Sequence, residues 1–223
     1  MPSPRSQDAR PRRTDGERTH ATILEKAVDV ASIEGINGMT VGRLAEALGV
    51  SKSGLYAHFG SKEQLQLETI EAAWAIFERE VLAPTLDAPE GVRQLEAMLD
   101  AFFSYVERDV FPGGCFFASL LAEEDARTGP IHEVVVSSER ETIDGIAAMV
   151  GAAQQRAEIA ADVDAAQLAY EVYSFMELAN FHFVLFRDPE VLERGRRAAA
   201  RALEAARPVP ADRPRADGRR RHV

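Results

Sequence analysis

The stretch that decides the fold is residues 40–59, TVGRLAEALGVSKSGLYAHF. It predicts two short helices around a tight turn at residues 48–51. Thr40 is a suitable N-cap for the first helix, because its hydroxyl can accept a hydrogen bond from a backbone N–H there. Gly49 can end that helix in a left-handed conformation, and Ser51 can cap the second helix. Two helices joined by such a turn lie at an angle, which lets the second enter a major groove.

The apolar residues of this stretch predict its buried faces. We expect a common core from Leu44, Ala45, Leu48, Val50, Leu55 and Phe59. Val50 lies in the turn, and its apolar side chain should tuck between the two helices. The exposed face of the second helix carries short polar side chains, a glycine and groups that donate to phosphate: Ser51, Lys52, Ser53, Gly54, Tyr56 and His58.

The rest of the chain between its two ends also has helical patterning. Apolar residues from Ile23 to Ala31 repeat at spacings of three and four before a stop at Gly35. Ser61 and Gln64 predict a capping box for a helix that reaches about residue 82. Proline and glycine punctuation then predicts helices over about 89–109, 115–126, 130–157, 164–186 and 189–206, with Asp162 or Asp164 capping the fourth of these. No alternating strand pattern of useful length occurs, so the predicted class is all-α.

Charge is distributed unevenly along the chain. The net charge is −10, but residues 1–65 carry nine Lys or Arg against eight Asp or Glu, so the acidity belongs to the remainder. An acidic total therefore does not exclude an approach to DNA by the N-terminal part. Cys115 is the single cysteine, and neither a membrane-spanning run nor a secretory signal is apparent, so we expect a cytoplasmic protein without a disulfide.

Residues 19–70 closely resemble the DNA-binding segment of the tetracycline-repressor (TetR) family. The match is T-V-x-x-L-A-x-x-L-G-V-S-K-S-G-L-Y-x-H-F-x-S-K-E-x-L, from Thr40 to Leu65. Residues 113–135 resemble a second segment of the family more loosely. The resemblance implies an N-terminal three-helix helix-turn-helix domain and a C-terminal helical ligand-binding and dimerisation domain. It also implies a homodimeric repressor that a small-molecule effector releases from a palindromic DNA operator.

These observations predict four segments. Residues 1–16 and 207–223 are expected to be disordered basic arms, residues 17–65 the DNA-binding domain, and residues 66–206 the ligand-binding and dimerisation domain. Carried over residue by residue, the resemblance assigns Thr40, Tyr56, His58 and Lys62 to phosphate. It assigns the following residues to base edges or phosphate: Ser51, Lys52, Ser53 and Gly54. Many family members have Gly then Thr or Ser at the positions of Ser53 and Gly54, so fewer base contacts, or a closer approach of the backbone at Gly54, are expected here.

Some of these residues also fit a plainer role. Tyr56 could be partly core, and a histidine such as His58 is often only a surface residue. Arg43 fits a solvated surface charge as well as it fits a phosphate contact.

The C-terminal part concentrates aromatic residues, which predicts a core and an apolar or aromatic effector. The candidate pocket residues are Trp74, Phe77, Phe102, Tyr105, Cys115, Tyr173, Met176 and Asn180. Tyr173, Met176 and Asn180 share one helix face, and Asn180 fits a satisfied core amide equally well. For the other candidates, plain core is the alternative. No metal or cofactor is expected.

The last two helices, about 164–186 and 189–206, are the predicted dimer interface. Small residues such as Ala198, Ala199 and Ala202 would permit close helix approach, although an amphipathic surface helix fits the same pattern. Two other classes of function remain open. An enzyme is disfavoured because Cys115, His132 and His182 have no ligand or triad spacing. A helical interaction module fits the acidity of the C-terminal part but would leave Lys52, Tyr56, His58 and Lys62 unexplained.

Overall fold

The computed structural model describes residues 15–209. That part of the chain contains ten α-helices and no strand, which confirms the predicted all-α class. The helices are α1 (Asp15–Glu34), α2 (Val41–Leu48), α3 (Lys52–Phe59), α4 (Lys62–Phe77), α5 (Ala83–Asp87), α6 (Val92–Glu107), α7 (Phe116–Glu124), α8 (Pro130–Gln155), α9 (Ala165–Phe186) and α10 (Pro189–Ala205). A π-helical turn, Glu78–Leu82, joins α4 to α5. None of these helices is long and apolar enough to cross a membrane.

Helices α2 and α3 have the predicted caps. Thr40 Oγ1 accepts the Arg43 backbone N–H at 3.2 Å, and Ser51 Oγ accepts the Gly54 N–H at 3.1 Å. Gly49 ends α2 with a φ of 67°. A side chain at such a φ is strained, which explains the glycine. Gly49 and Ser51 thus fix the two helix ends that face each other across the turn, and Thr40 fixes the start of α2.

Downstream helix starts agree in part with the prediction. Of the two candidate caps for α9, Asp164 is the one used, and it accepts the N–H groups of residues 166 and 167 at 3.0 and 3.1 Å. The predicted start of α6 at Pro89 is wrong, because the helix begins at Val92. Glu158 is the reason, since its carboxylate accepts the Val92 N–H at 2.8 Å and caps the helix there. Gly91 precedes it with a φ of 103°.

The predicted capping box at the start of α4 forms only by half. Ser61 Oγ accepts the Gln64 N–H at 3.0 Å. The Gln64 side chain, however, donates to Glu68 at 2.9 Å instead of reaching back to Ser61. The Ser61 N–H bonds to the Phe59 carbonyl at 2.8 Å. The helix therefore begins where predicted, but one side chain rather than two satisfies its first turn.

The described chain forms two compact units. The first unit contains residues 15–76 and 111–126, and the second contains residues 77–110 and 127–209. The predicted functional limits, 17–65 and 66–206, remain predictions. Helix α1 already begins at Asp15, inside the predicted arm. The rest of that arm and most of the predicted basic tail lie outside the described residues.

The first unit buries most of the predicted core. Leu44, Ala45, Leu55 and Phe59 are buried as expected, together with Ile23, Ala27 and Ala31 of α1. The prediction for Val50 is wrong, because its side chain is 47% exposed. Its backbone explains this: the Val50 N–H bonds to the Ala45 carbonyl at 3.0 Å and closes the end of α2. Leu48 is half-buried.

In the second unit, α9 packs against α8 and α10, and α6 packs against all three. Gly195 of α10 allows close approach, since a Cβ there would lie 2.6 Å from the Ala179 Cβ and 3.1 Å from the Phe103 ring. Ala199 is fully buried. Two small residues of α10 therefore serve packing within the chain, whereas the sequence predicted a role for Ala199 between subunits.

Candidate functional site

Helix α3 exposes nearly all of its surface. Leu55 and Phe59, 1% and 6% exposed, are its buried anchors. The remaining residues of α3 and its cap are exposed, and they include the candidate DNA contacts: Ser51, Lys52, Ser53, Gly54, Tyr56 and His58. The structure therefore brings the predicted residues together on one solvent-facing surface, which we call the α3 face.

Lys52 and Ser51 are placed differently on the α3 face. A Cβ at Gly42 of α2 would lie 3.1 Å from Lys52 Cε and 3.2 Å from Nζ, so the lysine extends across α2 where glycine leaves room. The Ser51 hydroxyl already caps α3 and lies 3.1 Å from the Ser53 hydroxyl. It is therefore less available for a nucleic acid than the sequence alone suggested.

Gly54 leaves an open notch in the middle of the α3 face. A Cβ at Gly54 would meet only Ser51 Oγ, at 3.2 Å. Space is otherwise free above the backbone, so a ligand could approach the helix closely there. This geometry agrees with the expectation that Gly54 offers backbone approach rather than a side-chain contact.

Tyr56 and His58 lie toward the end of α3. The Tyr56 side chain is 49% exposed, so about half of its surface is accessible to a partner and at most part of it belongs to the core. The His58 ring lies 6.1 Å from His20, whose ring packs 4.6 Å from Phe59. His20 also contacts Glu68 Oε2 at 2.6 Å and thereby ties α1 to α4. His58 is thus a surface residue beside a packed pair of rings.

Lys62 and Thr40 are accessible to solvent, and each also makes a hydrogen bond that supports the local structure. Lys62 Nζ donates to the Asn37 carbonyl at 2.9 Å, so this lysine also supports the loop between α1 and α2. Thr40 is exposed while its hydroxyl caps α2. Arg43 pairs with Glu34 at 2.5 Å, and this guanidinium lowers the pKa of the Glu34 carboxyl. The alternative that Arg43 is a surface charge, and not a phosphate contact, is therefore favoured.

Helix α7 holds the loop between α1 and α2 from the other side. The Glu123 carboxylate accepts the backbone N–H groups of Ile36 and Asn37 at 2.9 and 3.1 Å. The Asn37 side chain donates to Glu124 at 2.7 Å, and Gln66 donates to the Ile36 carbonyl at 2.8 Å. We call these contacts the loop clamp. The sequence pattern does not predict the loop clamp, because the glutamates lie more than eighty residues from the loop.

The candidate pocket residues divide between the two units. In the second unit, Phe102 and Tyr105 are buried, and the Phe77 ring meets the Tyr105 ring edge-on at 5.6 Å. Met176 and Asn180 of α9 are also buried, at 4% and 2% exposure. Their positions agree with both core and pocket roles.

Two candidates belong to the first unit. Trp74 is half-buried, with its ring edge-on to Phe117 at 5.4 Å. Cys115 is buried, at 3% exposure. No group of three His, Cys, Asp or Glu side chains that could hold a metal occurs among residues 15–209.

Two glutamates that the sequence analysis missed adjoin Tyr173. The Tyr173 hydroxyl donates to Glu139 Oε2 at 2.9 Å, and burial raises the pKa of the Glu139 carboxyl despite that bond. Burial, with a smaller effect from the Glu139 charge, raises the pKa of Glu177 to about 7. The available signal was that α9 has only two acidic residues, Glu171 and Glu177, in a mostly apolar sequence.

Helix α9 also has an apolar stripe that faces solvent. Its residues recur at helical spacing and are 43–71% exposed: Tyr170, Leu178, Phe181 and Leu185. We call these four residues the α9 stripe. A contiguous exposed apolar surface is typical of a protein–protein contact.

Comparisons with known proteins agree with this architecture. A family model described as "Bacterial regulatory proteins, tetR family" matches residues 23–69, and one described as "Tetracyclin repressor-like, C-terminal domain" matches residues 91–199. The chain is 30% identical over 121 residues to the HTH-type transcriptional repressor NicS of Pseudomonas putida, covering 53% of each protein. A similar match to the Bacillus subtilis regulator YobS covers 60% of that protein, so the chain spans little more than half the length of these curated relatives.

Solved structures match over more of the chain. A TetR transcriptional regulator from Chloroflexus aurantiacus superposes with a TM-score of 0.78 at 28% identity, covering 85% of this chain and 96% of that one. A cysteine mutant of the regulator CifR, solved with 26 base pairs of double-strand operator DNA, superposes with a TM-score of 0.66 at 26% identity, covering 89% and 100%. With the two family models and the exposed α3 face, these matches show that the chain belongs to the TetR family of DNA-binding transcriptional regulators.

Proposed function

We propose that this protein is a homodimeric repressor that binds a palindromic operator through the α3 face and leaves it when a small molecule binds its C-terminal part. The observation that carries the DNA-binding role is the α3 face itself. Leu55 and Phe59 anchor the helix, and a lysine, a tyrosine, a serine and a histidine face solvent around Gly54. The proposed place of action is the cytoplasm, where a bacterial operator lies.

Individual roles on the α3 face follow from exposure and partners. Lys52 and Tyr56 are exposed and are proposed to contact phosphate, Lys52 from its position across Gly42. Ser53 can reach a base edge or a phosphate, and Gly54 lets the backbone approach. Ser51, Thr40 and Lys62 are proposed to contact phosphate as groups that also hold the local structure. His58 is proposed as a phosphate contact at the end of the helix.

Three observations support the dimer, the DNA partner and the effector in turn. The α9 stripe would be covered by the same stripe of a second copy, because a two-fold contact uses one surface twice. The family neighbour solved with operator DNA supports a DNA partner for this chain. Buried aromatic residues of the second unit, including Phe102 and Tyr105, support an apolar or aromatic ligand body.

The test is fluorescence anisotropy of the full chain with labelled DNA from its own upstream intergenic region, at two salt concentrations with non-specific competitor. We expect competitor-resistant binding that protects a palindrome. Lys52→Ala should weaken binding about equally on all sequences and flatten the salt dependence by about one unit, because one phosphate contact is lost.

Lys26→Ala is the matched control. It removes the same charge from α1, where Lys26 lies 3.6 Å from Asp29 and off the α3 face. We expect this variant to keep the salt dependence of the wild type. Binding that competitor erases, or a Lys52→Ala variant with an unchanged salt dependence, would contradict the proposed interface.

A further inference from the structure

Helices α8 and α9 bring two carboxylates and a phenol together within the second unit. Tyr173 donates to Glu139 Oε2 at 2.9 Å, and the Glu139 charge acts on Glu177. Tyr173 and Glu177 are four residues apart on α9 and therefore share a face of that helix. We call Glu139, Tyr173 and Glu177 the acidic cluster.

One oxygen of the acidic cluster lacks a partner. Glu177 Oε2 is shut off from solvent and has no hydrogen bond with any described residue, although the residue as a whole keeps some exposed surface. Among residues 15–209, no lysine, arginine or histidine pairs with Glu139 or Glu177. Buried carboxylates are normally paired with a cation or fully hydrogen-bonded, since an unpaired buried charge is strongly unfavourable. Within the described residues, the acidic cluster therefore lacks the cationic partner that buried carboxylates normally have.

The surroundings favour an organic cation over a metal ion. A metal would need more oxygen ligands than two carboxylates supply, and no group of three candidate ligands occurs among the described residues. The same region of α9 carries the buried Met176 and Asn180. An apolar wall with a few polar groups suits a ligand that has an apolar body and one charged end.

We propose that the acidic cluster binds the protonated amine of the effector, so that the effector is an organic cation with an apolar or aromatic body. This inference rests on the proposed ligand-responsive function. The ammonium group would donate to Glu177 Oε2 and to Glu139. Tyr173 would hold the Glu139 carboxylate in place through its hydroxyl.

Proton linkage provides an independent signature. Without a cation, Glu177 is partly protonated near neutral pH, because its pKa is raised to about 7. A bound ammonium favours the ionised carboxylate, so binding should release protons. Among the described residues, the charged group that acts on Glu177 is Glu139 of α8, and Tyr173, which bonds to Glu139, lies one helical turn from Glu177 on α9. Arg196 of α10, a helix that also packs against α9, pairs with Asp100 of α6 at 3.1 Å. It is therefore not the cationic partner of Glu177.

The experiment is isothermal titration calorimetry of the full chain with three probes of one scaffold: phenethylamine, phenethyl alcohol and phenylacetate. We expect the cation to bind about tenfold tighter than the neutral and anionic probes, because a hydrogen bond to a charged group contributes more than a neutral one. Glu177→Gln should remove this preference and leave the affinity for the alcohol within about threefold. Asp144→Asn, at an exposed position of α8, is the matched control and should keep the preference.

Repeating the titration in two buffers of different ionisation enthalpy measures the protons. We expect release on amine binding to the wild type and none with Glu177→Gln. Equal affinities for the three probes, an unchanged preference in Glu177→Gln, or amine binding without proton release would overturn the proposed site.

Adding the same probes to the operator complex tests the proposed cation site and the proposed effector control independently. Amine binding at the cluster without release of DNA would uphold the site and contradict effector control. Release of DNA by the alcohol or the acid, but not by the amine, would uphold effector control and overturn the cationic site.

Discussion

Lys52 and Lys62 belong to one sequence motif, yet the structure gives them different surroundings. Lys52 is exposed above Gly42, whereas Lys62 donates to the Asn37 carbonyl at 2.9 Å. Replacing Lys62 would remove a loop contact together with any phosphate contact. Lys52 is therefore the cleaner probe of DNA binding, because its loss changes charge without loosening the fold.

The raised pKa of a single residue, Glu177, predicts how the stability of the folded protein depends on pH. Its pKa is raised from 4.5 to about 7 in the folded protein, so the folded state holds this proton more tightly than the unfolded state. Stability therefore falls as pH rises through that window: the penalty is absent below 4.5 and complete above about 7. Glu177→Gln should remove a penalty on the order of 3 kcal/mol and raise the melting temperature at about pH 8.

Thermal unfolding followed by circular dichroism at about pH 8 and about pH 4.5 checks this prediction. The variant and the wild type should melt at similar temperatures at the lower pH. Asp144→Asn, which removes an exposed carboxylate from α8, should shift neither transition strongly. An equal melting temperature for Glu177→Gln and the wild type at the higher pH would contradict the raised pKa.

Among the secondary-structure elements, α7 has the least obvious role. It follows α6 in the chain, but it packs in the first unit, where Glu123 supplies an acceptor for two backbone N–H groups of the loop between α1 and α2. Lys62 and Gln66 of α4 hold the carbonyls of the same two loop residues. The position of α2 relative to α1 therefore depends on two other elements, α4 and α7.

Glu123→Gln should loosen this loop. A carboxamide replaces one acceptor oxygen with an N–H donor, which leaves a loop N–H unsatisfied and destabilises the unit by roughly 1–3 kcal/mol. We expect weaker operator binding with an unchanged salt dependence, since no phosphate contact is lost. Hydrogen exchange of residues 35–39 and anisotropy at two salt concentrations measure both effects.

Glu25→Gln on the exposed side of α1 is the control for charge, and it should behave like the wild type. Wild-type exchange in Glu123→Gln would show that the loop does not depend on the carboxylate. A changed salt dependence would instead indicate that Glu123 acts on DNA through its charge.

For the whole molecule, the α9 stripe predicts the oligomeric state. Leu178 and Phe181 are 56% and 43% exposed in the single chain, and burying them against a second copy would be favourable. A charge at both positions should prevent that contact. We expect Leu178→Glu with Phe181→Glu to yield a folded monomer that loses high-affinity binding to a palindrome, because two half-sites then bind independently.

Size-exclusion chromatography with light scattering, followed by operator titration, measures this outcome. Leu86→Glu is the matched control, because Leu86 is 72% exposed on α5, away from the stripe. It should leave the wild-type mass unchanged. A double variant that remains dimeric would assign the subunit contact to another surface.

The sequence by itself determined the helical class, the turn between α2 and α3, and the members of the α3 face. These features depend on local rules: a cap at Ser51, a left-handed glycine at Gly49, and the helical spacing of Leu55 and Phe59. Those interactions span a few residues, so a linear pattern contains them. Helix starts at Asp164 and Pro189 were predictable for the same reason.

Only the tertiary structure decided which side chains gain distant partners. Val50 is apolar but exposed, α6 begins at Val92 because Glu158 caps it, and Glu123 reaches a loop more than eighty residues away. The pairing of Glu139 with Tyr173, and the burial of Glu177 Oε2, likewise depend on how α8 and α9 pack. Burial and hydrogen bonding between distant residues depend on packing in three dimensions, and a pattern of neighbours along the chain does not contain that information.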